Sequence, residues 1–522
     1  MGPVRTQKPR QLLPSAVAML AAAAFACCLL PVVTMLVGCF FKNFSPSLAH
    51  VSAAFSDPTR TITLATNTII VTGLTVLCAL LLGMPAGYIC FRTSVPGRRL
   101  FIIAAVIAAC IPIHVTATCW MSIFGADIWR HSILGAAWIG GIAFTPLTLL
   151  ICGCGFALVD RTTEEMASLD LNPLQILRFI VLPRSAWAIA VSAIVVGLLS
   201  LWEVTITDIL MIRTFAEESL TQFQLGAGPW QAAAISLPVI PFLLLLAVIL
   251  HRLLSRYQGN SAITALTRPL LHDPRGYKIP LCLLLTAITT VFFIVPFFAL
   301  AIRVGHPSVL ITVLQSCNRE FLSTLRIIPL SAIFTLLLAI PLAWTITFAT
   351  RWRYVVLLGL FLLLAVPAPV IGIGLIQIFN RHGALGAIYD SSAILILAYI
   401  IRSLPFAVLF TIPALLSVPK DTLDSISLAG GTSITRFIHG ILPRGKHLLC
   451  ASWLLLIAFS LSETGATFLV VPPSQQTITI RFFTLIHYGV YPDAAAICLI
   501  LLATVAITTT AAMLTARLCW RS

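Results

Sequence analysis

Charged residues are scarce in this chain. Only 9% of the 522 residues are Asp, Glu, Lys or Arg, whereas 59% are hydrophobic. Because soluble domains carry about 25% charged residues, this composition excludes an ordinary water-soluble enzyme. The 17 acidic residues are outnumbered by 32 basic ones. The basic residues stand singly in short loops rather than in a cluster, which indicates membrane lipid as the surroundings and no nucleic acid partner.

Catalytic and metal-binding motifs are missing as well. The ten His residues are scattered, with no HExxH and no GxSxG pattern. Cys152-Gly-Cys154 has no second cysteine pair and no nearby His. Residues 440–446 have the spacing of a phosphate-binding loop, but His447 stands where Ser or Thr must reach magnesium, and Pro443 removes a backbone N–H. We therefore expect no catalytic residue, no metal and no cofactor in this chain.

Long apolar runs are the dominant feature that is present. A membrane-spanning helix needs about 20 apolar residues, and the pattern predicts about twelve such helices, six in each half of an all-α polytopic membrane protein. The first is too long for a cleaved signal peptide, so we expect it to remain, with the N-terminus in the cytoplasm. The predicted spans are 15–37, 63–90, 101–123, 135–158, 186–210, 231–252, 280–302, 325–349, 355–378, 392–416, 447–470 and 493–516.

A polar stretch occurs twice between these runs. It reads EEMASLDLNPLQILRFIVLP from Glu164 and DSISLAGGTSITRFIHGILP from Asp424, and the two Leu-Pro pairs that end it, at Pro183 and Pro443, lie 260 residues apart. An internal repeat at half the chain length indicates two parallel six-helix repeats. We predict a first repeat at 1–252, a cytoplasmic linker at 253–279 and a second repeat at 280–522.

Each copy has the pattern of a helix, a turn and a second helix. Asn172 and Thr432 are the expected N-caps of the second helices. Apolar residues such as Leu174 and Ile434 give each second helix an apolar face. The alternative for a single copy is an amphipathic linker that rests on the membrane surface.

The first copy resembles the EAA loop of the permease subunits of bacterial ABC importers. That loop reads roughly E-A-A, three residues, G, and then about nine residues to I-x-L-P. Glu164, Ala167, Leu182 and Pro183 match, whereas Asp170 stands where the family has Gly.

The second copy is similar to the same loop at other positions. Gly430, Ile441, Leu442 and Pro443 match, whereas Asp424 replaces the Glu. Two partial matches at equivalent places favour a fused two-domain permease subunit of a type I ABC importer, of the iron(III), thiamine and polyamine group.

The resemblance implies the partners. In that family each loop forms a coupling helix that docks on one of two copies of a separate ATPase subunit, which binds ATP and Mg, and a periplasmic or lipid-anchored binding protein delivers the solute. It also implies the bacterial inner membrane. The residues assigned in this way to ATPase docking, within coupling loops 159–185 and 417–446, are Glu164, Glu165, Ala167, Asp170, Leu182, Pro183, Asp424, Ala429, Gly430, Leu442 and Pro443.

Charge gives the orientation independently. Most of the 32 Lys and Arg residues fall in the loops on the side of the two repeated stretches. Cytoplasmic loops carry the excess of basic residues. Both coupling loops and both termini are therefore predicted to be cytoplasmic.

A few polar residues lie inside the apolar runs. Acidic groups are costly in hydrocarbon and tend to face a pathway. One interpretation is a solute passage lined by oxygen atoms, and the other is a set of helix-packing hydrogen bonds between the halves. The residues are Glu203, Thr205, Asp208, Glu463, Thr464 and Thr467.

These observations predict a transport subunit rather than an enzyme. The solute favoured by the resemblance is iron(III) or another small cation, with thiamine, polyamine and phosphonate as related choices. The alternative is a secondary transporter with two six-helix halves, driven by an ion gradient. A membrane-embedded enzyme is disfavoured because no catalytic cluster occurs.

Overall fold

The computed structural model describes residues 15–42, 45–124, 131–241, 271–348, 352–472 and 475–519, with a few single residues between these ranges. Regular structure in these residues is almost entirely helical. The exception is a short antiparallel pair of strands, β1 (Phe41–Lys42) and β2 (Ser45–Pro46). The prediction of an all-α polytopic membrane protein is confirmed.

The main helices of the first half lie between residues 15 and 234. They are α1 (Ser15–Gly38), α2 (Ala49–Ala54), α3 (Pro58–Arg92), α4 (Arg98–Ala108), α5 (Ile113–Phe124), α6 (Ile133–Ala157), α7 (Arg161–Ala167), α8 (Leu174–Leu201), α9 (Thr205–Ile209), α10 (Phe215–Gln224) and α11 (Pro229–Ala234).

The second half follows a similar order. Its helices are α12 (Lys278–Val304), α13 (Pro307–Ser316), α14 (Asn318–Phe348), α15 (Arg353–Ala365), α16 (Ala368–Phe379), α17 (Ala384–Tyr389), α18 (Ser392–Leu416), α19 (Lys420–Leu428), α20 (Ser433–Ser460), α21 (Thr467–Val470), α22 (Ile478–His487) and α23 (Tyr491–Cys519).

Among the described residues, nine helices are long and apolar enough to cross a membrane, and two bent pairs could each form one more span. The nine are α1, α3, α6, α8, α12, α14, α18, α20 and α23, and the pairs are α4 with α5 and α15 with α16. Eleven of the twelve predicted spans therefore have a structural counterpart. The remaining one, at 231–252, is described in part: α11 ends at Ala234, turns follow at 235–238, and six residues between 242 and 251 lie outside the described part.

The two bent pairs occupy matching places and share one cause. Each is bent by 102° at a short break, and the breaks contain Pro112 and Pro367. Proline lacks an N–H and disfavours helical geometry in the residue before it. Val366 is accordingly extended. The apolar runs at these places are each two shorter helices set at an angle.

Small residues bring neighbouring helices close together. A Cβ atom on Gly87 of α3 would lie 2.7 Å from the carbonyl oxygen of Leu149 in α6, and one on Gly83 would lie 2.7 Å from Thr148. In the second half, α14 packs on α18, and α14 has the fully buried small residues Ala339 and Ala343. Close backbone approach is a common basis of helix association in membranes.

The first helix of each half packs against the other half. The helix α1 contacts α14, α15 and α16, and a Cβ on Gly374 of α16 would lie 2.7 Å from the carbonyl oxygen of Pro31. In return, α12 contacts α3, α4 and α5. The two halves are thus joined by an exchange of helices as well as by the chain itself.

Candidate functional site

The first coupling loop is a short helix, a turn and the start of a long helix. Asp160 caps α7, accepting hydrogen bonds from Thr162 and Thr163 that lower the pKa of its carboxyl group. Asn172 and Gln175 then form a reciprocal capping box, in which Asn172 Oδ1 accepts from the Gln175 N–H at 2.9 Å and Gln175 Oε1 accepts from the Asn172 N–H at 3.0 Å. The predicted N-cap is confirmed.

The second coupling loop has the same plan with different residues. The helix α19 ends at Leu428, Gly430 has a left-handed φ of 81°, and Thr432 accepts a hydrogen bond from the Thr435 N–H at 3.3 Å. This N-cap is confirmed too. The left-handed backbone explains a glycine at position 430. Asp170 has no positive φ, so the first loop does not require glycine there.

A π-helical turn precedes each Leu-Pro pair. It spans Leu177–Val181 in the first loop and Arg436–Ile441 in the second. Pro183 and Pro443 follow inside the continuous helices α8 and α20, where a proline removes one backbone hydrogen bond and its ring displaces the preceding turn. The wider turn accommodates the proline, so the loop helix continues into the long helix without a break.

Glu164 does not lie on the surface of the first loop. Its side chain is fully buried and forms an ion pair with the fully buried Arg92, at the end of α3. His272, which lies near the end of the predicted linker, has Nε2 3.6 Å from the second Glu164 oxygen. By contrast, Glu165 is exposed and pairs with Arg161 at 2.6 Å.

The other predicted docking residues are mostly at the surface. Asp170, Pro183, Asp424, Ala429, Gly430, Leu442 and Pro443 are exposed, whereas Ala167 and Leu182 are half-buried. The two loops therefore offer a largely accessible face, with Glu164 as the exception.

Two leucines that sequence reasoning missed are the most exposed large apolar residues of the loops. Leu169, in the turn that follows α7, is 84% exposed, and Leu428, the last residue of α19, is 90% exposed. Leu174 and Ile434, at equivalent positions in the next helices, are 73% and 46% exposed. Exposed apolar groups clustered in a polar loop are typical of a protein interaction site. An apolar residue next to each turn was the available signal.

At the opposite end of the long helices, the two halves meet through a pair of threonines. Thr205 Oγ1 and Thr464 Oγ1 are 3.4 Å apart. Glu203 Oε1 accepts from the Thr205 N–H at 2.8 Å, and Glu463 Oε1 accepts from the Ala466 N–H at 3.0 Å. These carboxylates cap the backbone turns that follow α8 and α20.

Among the remaining predicted residues, Thr467 donates to the Glu463 carbonyl oxygen at 3.2 Å, and Thr207 makes the same bond to Glu203 in the first half. Both bonds lie within one turn and do not join the halves. Glu463 also pairs with Arg402 at 3.0 Å. Glu203 lines a small separate cavity inside the first half.

A larger cavity of about 380 Å³ lies between the halves. Of the predicted residues, it is lined by Thr205, Asp208 and Thr464. Across it, Asp208 Oδ2 is 3.4 Å from His487 Nε2, and this hydrogen bond raises the pKa of His487. The other polar lining residues are Gln224, Thr484 and Tyr488. The cavity therefore offers one carboxylate, one imidazole, hydroxyl groups and an amide to a polar solute.

A curated protein resembles this chain along most of its length, although no protein-family model matches it. The Fe(3+)-transport system permease protein FbpB 2 of Haemophilus influenzae is 24% identical over 444 residues, which cover 80% of this chain and 83% of that protein. This chain is similar to ABC importer permeases of the iron and polyamine type. The predicted resemblance to this group of permeases is thereby confirmed.

Shorter permeases match over part of the chain. The putative 2-aminoethylphosphonate transport system permease protein PhnV of Salmonella typhimurium is 24% identical over 27% of this chain and 52% of its own length. The spermidine/putrescine transport system permease protein PotC of Escherichia coli is 25% identical over 30% of this chain and 58% of its own length. The relatives are transport permeases, which are not enzymes.

Proposed function

We propose that this chain is the permease subunit of an ATP-driven ABC importer in a bacterial inner membrane, with both termini in the cytoplasm. Two copies of a separate ATPase, which bind ATP and Mg, dock on the two coupling loops. A periplasmic or lipid-anchored binding protein delivers the solute to the opposite side. The solute passes between the two halves, and ATP binding shifts them between two arrangements.

The exposed apolar residues of the two loops carry this proposal. Leu169 and Leu174 in the first loop, and Leu428 and Ile434 in the second, present similar apolar surfaces at similar places. A partner present in two copies needs two similar docking surfaces. The proposed docking residues are these four, together with the exposed Asp170, Ala429 and Gly430.

The cavity between the halves supports a passage for a small cation. It lies where the two repeats meet, at the end of the molecule opposite the coupling loops, and Asp208 supplies a carboxylate to it. Iron(III) is the favoured solute, because the relative that matches most of the chain is a permease of Fe(3+) transport. In this structure the Asp208 carboxylate is paired with His487.

The rival function is a secondary transporter driven by an ion gradient. The pair of titratable residues in the cavity, Asp208 and His487, favours it, because such transporters couple through ionisable groups that line the passage. Uptake that requires ATP indicates the importer, whereas uptake that follows an ion gradient without ATP indicates the secondary transporter.

Co-purification with the candidate ATPase encoded beside this chain tests the proposal. We expect the wild-type chain in detergent to retain the ATPase, and a double variant, Leu169→Asp with Leu428→Asp, to lose it. Burial of a leucine contributes about 1.5–3 kcal/mol, so each substitution should weaken binding by roughly tenfold or more.

The matched control carries the same change at the opposite end of the molecule. Leu48 and Leu225 are 65% and 75% exposed, and their replacement by Asp should leave ATPase binding unchanged. If the wild type retains no ATPase and uptake in vesicles follows an ion gradient without ATP, the secondary transporter replaces this proposal.

A further inference from the structure

The last part of the predicted linker is attached to the first half of the chain. The His272 N–H donates to the Arg92 carbonyl oxygen at 2.9 Å, and the Ser94 N–H donates to the His272 carbonyl oxygen at 3.1 Å. The Ser94 hydroxyl also donates to Asp273 Oδ1 at 3.2 Å, and Lys278 pairs with the same oxygen at 2.8 Å. Residues 272–273, which we call the joint, thus bind the turn after α3 shortly before α12 begins.

This attachment places His272 beside the first coupling loop. Glu164 uses Oε1 to pair with Arg92 and has Oε2 3.6 Å from His272 Nε2. Arg92 and Glu164 are fully buried, and the His272 side chain is 14% exposed. Side chains from α3, α7 and the joint therefore converge in one cluster of charged and titratable groups.

A buried ion pair of this kind resists separation. Removing one partner leaves the other charge without compensation in a poorly solvated site. The helix α7, which carries Glu164, cannot move away from Arg92 without incurring that penalty. A displacement of the first coupling loop must therefore carry the end of α3 with it.

The second coupling loop lacks this cluster. Aligning Thr68 with Thr324 and Pro85 with Pro341 places Phe348 at the position of Arg92, and Asp424, at the position of Glu164, is exposed. The two loops are anchored differently, although their docking surfaces are similar.

The helix α3 connects this cluster to the wall of the cavity. Near its other end, Thr68 Oγ1 accepts a hydrogen bond from the Phe215 N–H at 3.2 Å, and Arg60 pairs with Glu218 at 3.5 Å. Phe215 and Glu218 belong to α10, which lines the cavity through Leu220 and Gln224. At 1.5 Å per residue, Thr68 and Arg92 lie about 36 Å apart along α3.

We infer that Arg92, Glu164 and His272 are positioning residues, which fix the first coupling loop to α3 and to the joint so that movement of the loop displaces the wall of the cavity. This inference rests on the proposed function. Glu164 thus acts inside the permease rather than on the ATPase. Through the joint, the segment that leads into the second half also helps to hold the first coupling loop in place.

The test measures ATPase docking and cavity movement separately on the full chain in complex with the ATPase. Labels at Leu225 and Tyr488, which are 75% and 80% exposed beside the cavity, report the distance across it with and without Mg-ATP. Because the chain has 14 cysteines, the labels are attached through unnatural amino acids. This readout does not depend on the identity of the solute.

Two variants remove parts of the cluster. For Glu164→Gln and for His272→Gln we expect unchanged affinity for the ATPase. The fraction of molecules whose label distance changes on addition of Mg-ATP should fall about tenfold. The control is Asp390→Asn, which neutralises an exposed carboxylate outside the cluster, the two coupling loops and the cavity lining, and should respond as the wild type does. His272→Gln alters a partly exposed side chain, so it remains informative if Glu164→Gln does not fold.

Three outcomes contradict the inference or its basis, and they are distinguishable. A full response to Mg-ATP in both variants overturns the positioning role. A loss of ATPase affinity in Glu164→Gln, comparable to that of the leucine variant, assigns Glu164 to docking and also overturns it. A wild-type chain that holds no ATPase contradicts the proposed function itself.

Discussion

Asp208 and His487 face each other across the cavity from non-equivalent positions of the two halves. At the offset of 260 residues, the position equivalent to Asp208 is Phe468. The ten-residue helices α10 and α22 correspond, so the position equivalent to His487, the last residue of α22, is Gln224, the last residue of α10. All four residues line the cavity. The scaffold is repeated, but the charged groups are not, so the cavity has one carboxylate and one imidazole rather than two of each. A fused chain permits this asymmetry because its halves can vary independently.

At the level of single residues, this pair predicts a dependence on pH. The hydrogen bond to Asp208 raises the pKa of His487 above its usual 6.5, so the ion pair is fully present below pH 6.5 and is lost as the pH rises through the raised value. We expect the distance between labels at Leu225 and Tyr488 to increase across that interval. His487→Gln, which copies Gln224, should abolish the change.

Other titratable groups face this pair and must be considered. Glu217 on α10 has a pKa raised by burial and by the nearby Glu218 and Asp208 carboxylates, and Arg213 lowers it. A Glu217→Gln variant shows whether the pH response comes from His487 or from Glu217. If it removes the pH response and His487→Gln does not, the response belongs to Glu217.

At the level of helices, close packing of α3 on α6 depends on glycines at particular positions. Gly87 lies against the carbonyl oxygen of Leu149, whereas a Cβ atom added to Gly73, in the same helix, would have no neighbouring atom within 4 Å. A rigid backbone atom cannot move aside as a flexible side chain can. The same sequence change should therefore have opposite effects at the two positions.

We expect Gly87→Ala to destabilise the protein by about 1–3 kcal/mol because it overpacks the interface. Gly73→Ala should be neutral or stabilising by up to about 1 kcal/mol, because Ala favours helix more than Gly does. Thermal unfolding in detergent measures the change in stability of both variants. Equal effects of the two substitutions would show that helix propensity, rather than the approach of α3 to α6, controls the result.

The coupling loops show how local sequence shapes a helix. The sequence predicts Asn172 and Thr432 as N-caps, and the structure confirms both because a cap depends only on residues within one turn. The π-helical turns before Pro183 and Pro443 do not follow from the sequence. Proline makes some adjustment necessary, but the surrounding packing selects its form.

Across the whole molecule, the exchange of α1 and α12 holds the two halves together. Each of these helices packs against the half to which it does not belong in sequence. Close contacts such as those of Gly374 with Pro31 and of Gly359 with Phe25 show that the exchange is tightly packed. The linker is then not needed to keep the halves associated.

Cleavage of the linker tests this arrangement. A protease site inserted between residues 256 and 262 and cut after purification should leave both halves in one complex in mild detergent, because the apolar area of α1 and α12 stays buried. Deletion of residues 1–38 removes one of the two exchanged helices and should weaken the association of the cleaved halves. Separation of the cleaved full-length chain would contradict a dominant role for the exchanged helices.

Composition and residues close together in the chain were enough to predict the membrane class, the internal repeat, the two coupling loops and their caps. The folded structure was needed to show that Glu164 faces Arg92 and His272, that His487 meets Asp208, and that Leu169 and Leu428 remain exposed. Burial and pairing depend on which helices, distant in the chain, pack against each other, and no local sequence pattern specifies that packing. A cap or a repeated loop is specified within a few turns, whereas a buried ion pair requires the whole arrangement of helices.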